Sequence, residues 1–339
     1  MQDDGPPGDE ALLTDEVLPP AFAGGVDLHA DELRELMEQA LRGWLSKTPS
    51  ENTRESYELD LGQFLSFAKI GRHELERLAS VRPEHVAAWR KALMQDGCTN
   101  STIRRKLTSL RSLFSYLQVY GYTGANPAHG KFVKAPSVPR DGKTVALSER
   151  DCRRLLDAPD PMTPIGVRDR ALFAVLAYTG SRVGEVVRLR VGDFKTTGEH
   201  RVLKVYGKGG KERSVPLHPE AIERLNAWLA ASGLTDDREA PLFPPPLASR
   251  GKGKHGFRRS ALSVRAVEYL VDRYVRKLGL DAAVTVHSLR VTALTTARER
   301  GSDIIDLQDF AGHADPRTTL TYIRTRDRLS KSPAYVLKY

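Results

Sequence analysis

The chain has 339 residues, with 52 Lys and Arg against 43 Asp and Glu for a net charge of +9, which is long for one ordinary core and sufficient for two. No stretch approaches the eighteen or so uninterrupted apolar residues of a membrane helix, and the acidic N-terminus is unlike a signal or transit peptide. Cys98 and Cys152 form neither a C-x-x-C pair nor a disulfide framework, so the expectation is a cytosolic protein of two domains with reduced thiols.

Residues 1–27 hold seven acids and no base, together with Pro and Gly and no apolar period. Such a composition cannot repay its ordering entropy, and the segment reads as a disordered acidic tail. Residues 28–339 therefore carry +16. A body so basic attracts polyanions, nucleic acid or an anionic membrane surface, although a solvated Lys/Arg surface is the plainer alternative.

The helical pattern starts with Leu33, Leu36, Met37, Ala40, Leu41, Trp44 and Leu45 on one face. A second helix follows Asn52 and Thr53, with Tyr57, Leu61, Phe64, Leu65 and Ala68 as its stripe. A third begins at Pro83, in the favoured first turn, and ends at Gly97. The fourth runs from about Asn100 to Tyr120; it buries Ile103, Leu107, Leu110, Phe114 and Leu117 and turns Arg104, Arg105, Lys106 and Arg111 outward without an intervening acid. Four helices on short turns make a bundle over residues 28–123, and that basic face suits a phosphate backbone as well as it suits plain solvation.

Residues 124–143, rich in Pro, Gly and Lys, read as the linker. In the second domain, residues 144–339, Ser148 caps a helix and Pro164 opens another that Gly180 stops. RVLKVY and ERSVPL alternate as strands around the GKGG turn, giving a hairpin. Helices follow at about 219–232, 263–278, 287–300, 303–310 and 316–325. The 244–260 segment is a long loop carrying Arg250, Lys252, Lys254, Arg258 and Arg259 with no acid. The fold class is thus mainly α with a small β-hairpin or sheet.

Several side chains have no obvious structural task. Arg182 projects from the turn after Gly180, where taken alone it reads first as a surface arginine paired with Glu185. Lys208 sits in the hairpin turn, where most lysines serve solubility. His287 and Arg290, three apart at a helix start, share one face and can reach one target, and a helix N-terminus favours anions. His313 lies in AGHAD between two helices, and Tyr322 follows nine residues later on the second.

Together these residues match what attack on a phosphodiester demands. Charge gathers on the non-bridging oxygens of a pentacoordinate phosphorus, and two guanidinium forks, Arg182 and Arg290, answer it. The leaving 5′ oxygen needs a proton, for which Lys208 is the candidate and Lys211 the substitute. A phenol titrating near ~10 must be activated before Tyr322 attacks; His287 can take its proton, and His313 can hydrogen-bond the phosphate.

The series TGSRVGE, GKGGKERSVPL, HSLR and AGHADPRTTLTY resembles the tyrosine recombinase (phage integrase) family, most closely its Xer-type and mobile-element members, over about residues 28–325. The resemblance implies a two-domain DNA clamp, a helical core-binding (SAM-like) domain plus a catalytic domain. It puts the catalytic arginines on Arg182 and Arg290, the hairpin lysine on Lys208, the paired histidines on His287 and His313, and the nucleophile on Tyr322. It further implies a 3′-phosphotyrosyl intermediate, double-stranded DNA with paired half-sites, strand exchange in a homotetramer or hetero-oligomer, and no metal or nucleotide cofactor. Gly184 and Val291 depart from the family's usual serine and histidine beside the two arginines, without removing either. A type IB topoisomerase-like enzyme and an inactive DNA-binding regulator are the competing readings. The C-terminal apolar patch (Tyr335, Val336, Leu337, Tyr339) reads as docking on a neighbouring subunit or folding back on its own domain.

Overall fold

The computed structural model describes residues 30–48, 50–138, 144–207, 210–247 and 256–323, and for residues 30 and 321–323 the backbone alone. The chain divides into two units, with the break after residue 139. Among the described residues no helix is long and apolar enough to cross a membrane.

The first unit contains α1 (Ala30–Ser46), α2 (Glu51–Phe67), α3 (Pro83–Gln95) and α4 (Asn100–Val119). Their apolar stripes meet because each repeats at helical spacing. Met37, Ala40, Leu41 and Trp44 from α1 are buried with Leu61 and Phe64 from α2 and with Ile103, Leu107, Leu110, Phe114 and Leu117 from α4. The Phe64 ring takes edge contacts from Trp89 and Phe114, at 5.3 and 6.4 Å between centroids. Thr99 caps α4 by accepting from the amide of Thr102 at 3.3 Å.

Three features of this unit depart from the expectations. A 3-10 helix at Leu75–Ser80, not foreseen between α2 and α3, buries Leu75 and Leu78. The stretch expected as linker packs in part on the bundle, adding Ala128 and Val133 to its core.

The outward basic face of α4 is corrected at two residues. Lys106 is buried and pairs with Asp60 of α2 at 3.4 Å, with Gln63 as a second partner. Arg111, half-buried, donates to the carbonyls of Ala128 and Val133 at 2.8 and 2.7 Å. Both spend their donors on groups that burial would otherwise leave unpaired. Arg105 forks onto the same Asp60 at 2.5 and 2.8 Å while keeping about half of its side chain exposed, and Arg104 is open to solvent.

In the second unit, α5 (Glu149–Asp157) is capped by Ser148 as expected, and α6 (Pro164–Thr179) is buried on nearly every side. A helix buried on most sides belongs at a centre, where its Arg168 and Asp169 pair with each other at 2.7 Å, and α6 packs against α5, α8 (Pro219–Ser232) and α10 (Val286–Glu299). It stops at Gly180, whose φ of +56° is left-handed and where a Cβ would stand 2.8 Å from the ring of Phe310. A single turn, α7 (Val183–Val186), follows.

The sheet is a three-stranded antiparallel meander of β1 (Phe194–Thr197), β2 (His200–Tyr206) and β3 (Glu212–Pro216), with Leu203 opposite both Phe194 and Val215. β1, four residues long, is an addition to the expected hairpin. Three further helices follow: α9 (Val264–Lys277), α11 (Ile304–Ala311) and α12 (Pro316–Ile323).

Candidate active site

The site is built where α6, α10 and α11 end or begin. Arg290, about one turn after Val286 at the start of α10, is 2 % exposed. Its Nη1 donates to the carbonyl of Gly180 at the end of α6, and its Nη2 donates to the carbonyl of Ala311 at the end of α11, 2.7 Å away. Helix C-termini present unpaired carbonyls and the negative end of the dipole, so a buried guanidinium is stabilised between two of them.

Nη2 of Arg290 also lies 2.6 Å from Nε2 of His313. A guanidinium only donates, so Nε2 accepts, the ring is neutral, and its proton sits on Nδ1, directed at Thr319 Oγ1 at 2.9 Å. The environment agrees: burial first, then the cations of Arg290, Arg182 and Arg213, push the His313 pKa down to about 4. Thr319 is fully buried in α12, and the backbone of Tyr322 lies three residues further along that helix. The His313 ring therefore anchors α12 to Arg290. The position of Gly312 before it is demanding, with a φ of +61° at the C-cap of α11.

Arg182 leaves the turn after Gly180 with its side chain nearly half exposed. Its Nη1 donates to Glu185 Oε1 at 3.0 Å, and its backbone N–H donates to Glu185 Oε2, also at 3.0 Å. The plain pairing considered from sequence is thus real, yet it does not bury the arginine. Glu185 itself is 3 % exposed and takes a third bond, from Arg213 Nη2 at 2.8 Å. Burial alone raises its pKa, but the Arg213 hydrogen bond, the Arg182 amide and the charge of Arg213 outweigh that and hold the carboxyl below its usual range.

His287 stands at the exposed start of α10. Partial burial, then the charges of Arg290 and Arg182, lower its pKa. Both histidines feel both arginines, so the four side chains form one electrostatic group. Lys208 lies outside the described residues. The strands that carry its turn are closed at Gly207, whose amide donates to the carbonyl of Lys211 at 2.7 Å, and the Lys211 side chain is exposed.

Of the other cations expected at a nucleic acid, Arg250, Lys252 and Lys254 fall outside the described residues. Arg258 and Arg259 are exposed, and Arg259 meets Asp237 at 3.0 Å, so the loop is not without an acid partner. Three residues of the site went unread: Arg213, Thr319 and, beyond its pairing with Arg182, Glu185. Arg213 had one signal, since it shares a strand face with buried Val215. Among the described residues no three His, Cys, Asp or Glu side chains gather as a metal set would.

These features can be set beside known proteins. The phage integrase family model matches residues 146–328, and the N-terminal SAM-like domain model of phage integrases matches residues 41–119. The chain is 31 % identical over 297 residues to the tyrosine recombinase XerC of Pelotomaculum thermopropionicum, covering 85 % of this chain and 92 % of that one. It is 30 % identical over 283 residues to the tyrosine recombinase XerD of Pseudomonas aeruginosa, covering 82 % and 88 %. Its fold is shared with the XerH site-specific recombinase bound to palindromic difH substrate (TM-score 0.65, 18 % identity, 93 % and 99 % covered). It is shared too with a lambda integrase dimer bound to a COC′ core site (TM-score 0.65, 18 % identity, 87 % and 78 % covered). The chain belongs to the phage integrase family, the tyrosine recombinases. Among curated proteins its relatives include XerC and XerD enzymes, matched over most of their length.

Proposed function

We propose that the chain is a site-specific DNA recombinase in which Tyr322 attacks the scissile phosphorus, forming a 3′-phosphotyrosyl bond and releasing a 5′ hydroxyl. Arg182 and Arg290 neutralise the charge that gathers on the non-bridging oxygens. Lys208 gives its proton to the departing 5′ oxygen. His287, held neutral near pH 7 by its lowered pKa, takes the phenolic proton, and His313 keeps Arg290 and α12 in register. In the second half a 5′ hydroxyl attacks the phosphotyrosine and the protons travel back. One phosphodiester is exchanged for another ester of similar energy, so rejoining draws on no nucleotide.

The observation that carries this reading is the joining of Arg290, His313 and Thr319 across α10, α11 and α12. It supports an active site in which the tyrosine-bearing helix is fixed to the anion-binding arginine. The XerH and lambda integrase structures hold DNA, and lambda integrase also occurs as a tetramer bound to a Holliday junction. By that likeness we take the substrate to be duplex DNA with paired half-sites, exchanged within a tetramer of this chain or of this chain and a relative, in the cytoplasm. Of the cations expected at a nucleic acid, Arg104, Arg105, Lys211, Arg258 and Arg259 are the described ones whose side chains are exposed to meet its phosphates.

The test is recombination between two plasmid copies of a duplex site selected by the protein from a random pool. Exchange restricted to plasmids bearing that site supports the reading. Relaxation of supercoiled plasmid lacking any site, without exchange, contradicts it in favour of a topoisomerase.

A further inference from the structure

Arg213, not singled out from sequence, touches two separate parts of the site. From β3 its Nη2 reaches Glu185 Oε2 at 2.8 Å and Ser181 Oγ at 3.3 Å, both in the turn that carries Arg182. On its other side the guanidinium lies against Gly312, the residue before His313. A Cβ built there would stand 2.7 Å from Arg213 Nη1 and 3.0 Å from its central carbon. Its strand neighbours run directly into the turn of Lys208, with Arg213 opposite Val205 and Glu212 opposite Tyr206. One half-buried side chain of the hairpin thus bridges the turn that carries Arg182 and the residue that precedes His313.

The charge count gives this bridge a chemical role. Glu185 is buried and ionised, and alone with Arg182 it would form a neutral pair, free to draw the guanidinium onto both of its oxygens. Arg213 occupies one oxygen and adds a second cation, so the cluster of two arginines and one carboxylate keeps a net positive charge. Arg182 is then held through Oε1 and its backbone amide only, with the remainder of its fork exposed.

Resting on the recombinase reading, we propose that Arg213 is a positioning residue for strand cleavage: by taking up Glu185 Oε2 and packing on Gly312, it leaves the charge of Arg182 uncancelled by Glu185 and the side chain turned toward the scissile phosphate. It touches no reacting atom. Its effect passes through Arg182, and it should therefore depend on the charge of the phosphate that Arg182 meets.

The experiment uses the full chain and a duplex selected by the wild-type protein, nicked just beyond the scissile phosphate so that the covalent adduct accumulates. Adduct formation is timed under single turnover for wild type, R213Q, R213K and Y322F, with DNA affinity and thermal melting measured alongside. Each is repeated on a duplex carrying a methylphosphonate at the scissile position, which removes the negative charge that Arg182 answers. R213Q should cleave roughly tenfold or more slowly at near wild-type affinity, with R213K intermediate. The deficit should shrink several-fold on the methylphosphonate.

A wild-type rate for either variant that folds, an equal deficit on the two substrates, or a loss confined to DNA affinity or to the folded fraction overturns the inference. If R213Q does not fold, R213K is judged by the same outcomes. No adduct from the wild type, or an adduct that persists in Y322F, overturns the recombinase reading along with it.

Discussion

Arg290 and His313 are joined through Nη2 and Nε2 at 2.6 Å, in a geometry that only an unprotonated imidazole can accept. Arg290 is thereby both the buried tie between the ends of α6 and α11 and a member of the proposed phosphate site. Arg182, 45 % exposed, has only the second of these roles.

That difference predicts different outcomes for the two arginines. R290A strips two helix C-termini and His313 of their common donor, and should lower stability by about 3 kcal/mol or more, along with cleavage. R182A should abolish cleavage while shifting the melting temperature little. Circular dichroism melts of both variants decide the point, and comparable melting losses would contradict it.

The neutral state of His313 sets a pH dependence. Its pKa is near 6.5 when unfolded and about 4 when folded, so below pH 6.5 the unfolded chain takes up a proton that the folded chain refuses. Stability from this group is complete above pH 6.5 and is lost as pH falls toward 4, by at most about 3 kcal/mol. Denaturant titrations at pH 7.5 and 4.5 should show the wild type losing more than H313Q. Parallel losses would mean the ring is not held neutral.

Lys106 and Arg104 should separate structure from binding. Replacing the buried K106 by Met should leave the dependence of DNA affinity on salt unchanged. R104A should reduce the slope of log K against log salt by about 1 if it meets a phosphate. Filter binding across a salt series measures both, and a slope change with K106M would return that lysine to the surface.

Asp60, fully buried, accepts from Arg105, Lys106 and Ser109. D60A leaves the ammonium of Lys106 with Gln63 alone inside the first unit and should cost about 3–5 kcal/mol, whereas K106M leaves Asp60 two donors and should cost much less. Urea unfolding of the two variants provides the comparison, and equal losses would show that the network is not centred on Asp60.

The helices of both units were legible because each combined an apolar period with a visible start or stop, such as Ser148, Pro164 and Gly180. The six residues proposed for chemistry were legible as a series of types in order, since each type answers one demand of phosphoryl transfer. What sequence concealed were contacts made at long range. The carboxylate that draws Lys106 inward sits 46 residues earlier, on α2, and periodicity along α4 cannot report a polar partner on another helix. Arg213 had a strand position but no visible target, because Ser181 and Glu185 reach it only after α6 and the sheet have packed. Residues 124–138 look like linker by composition, yet Ala128 and Val133 find the bundle core and their carbonyls find Arg111. β1 is too short to show an alternation of its own.

The central claim is that the phenolic oxygen of Tyr322 becomes joined to DNA. The direct measurement is denaturing electrophoresis of the full chain incubated with a nicked, end-labelled duplex of its selected site, followed by peptide mapping of the DNA-linked fragment. The account predicts a covalent adduct mapping to Tyr322 and absent in Y322F. An adduct on another residue, or cleavage undiminished in Y322F, would contradict it.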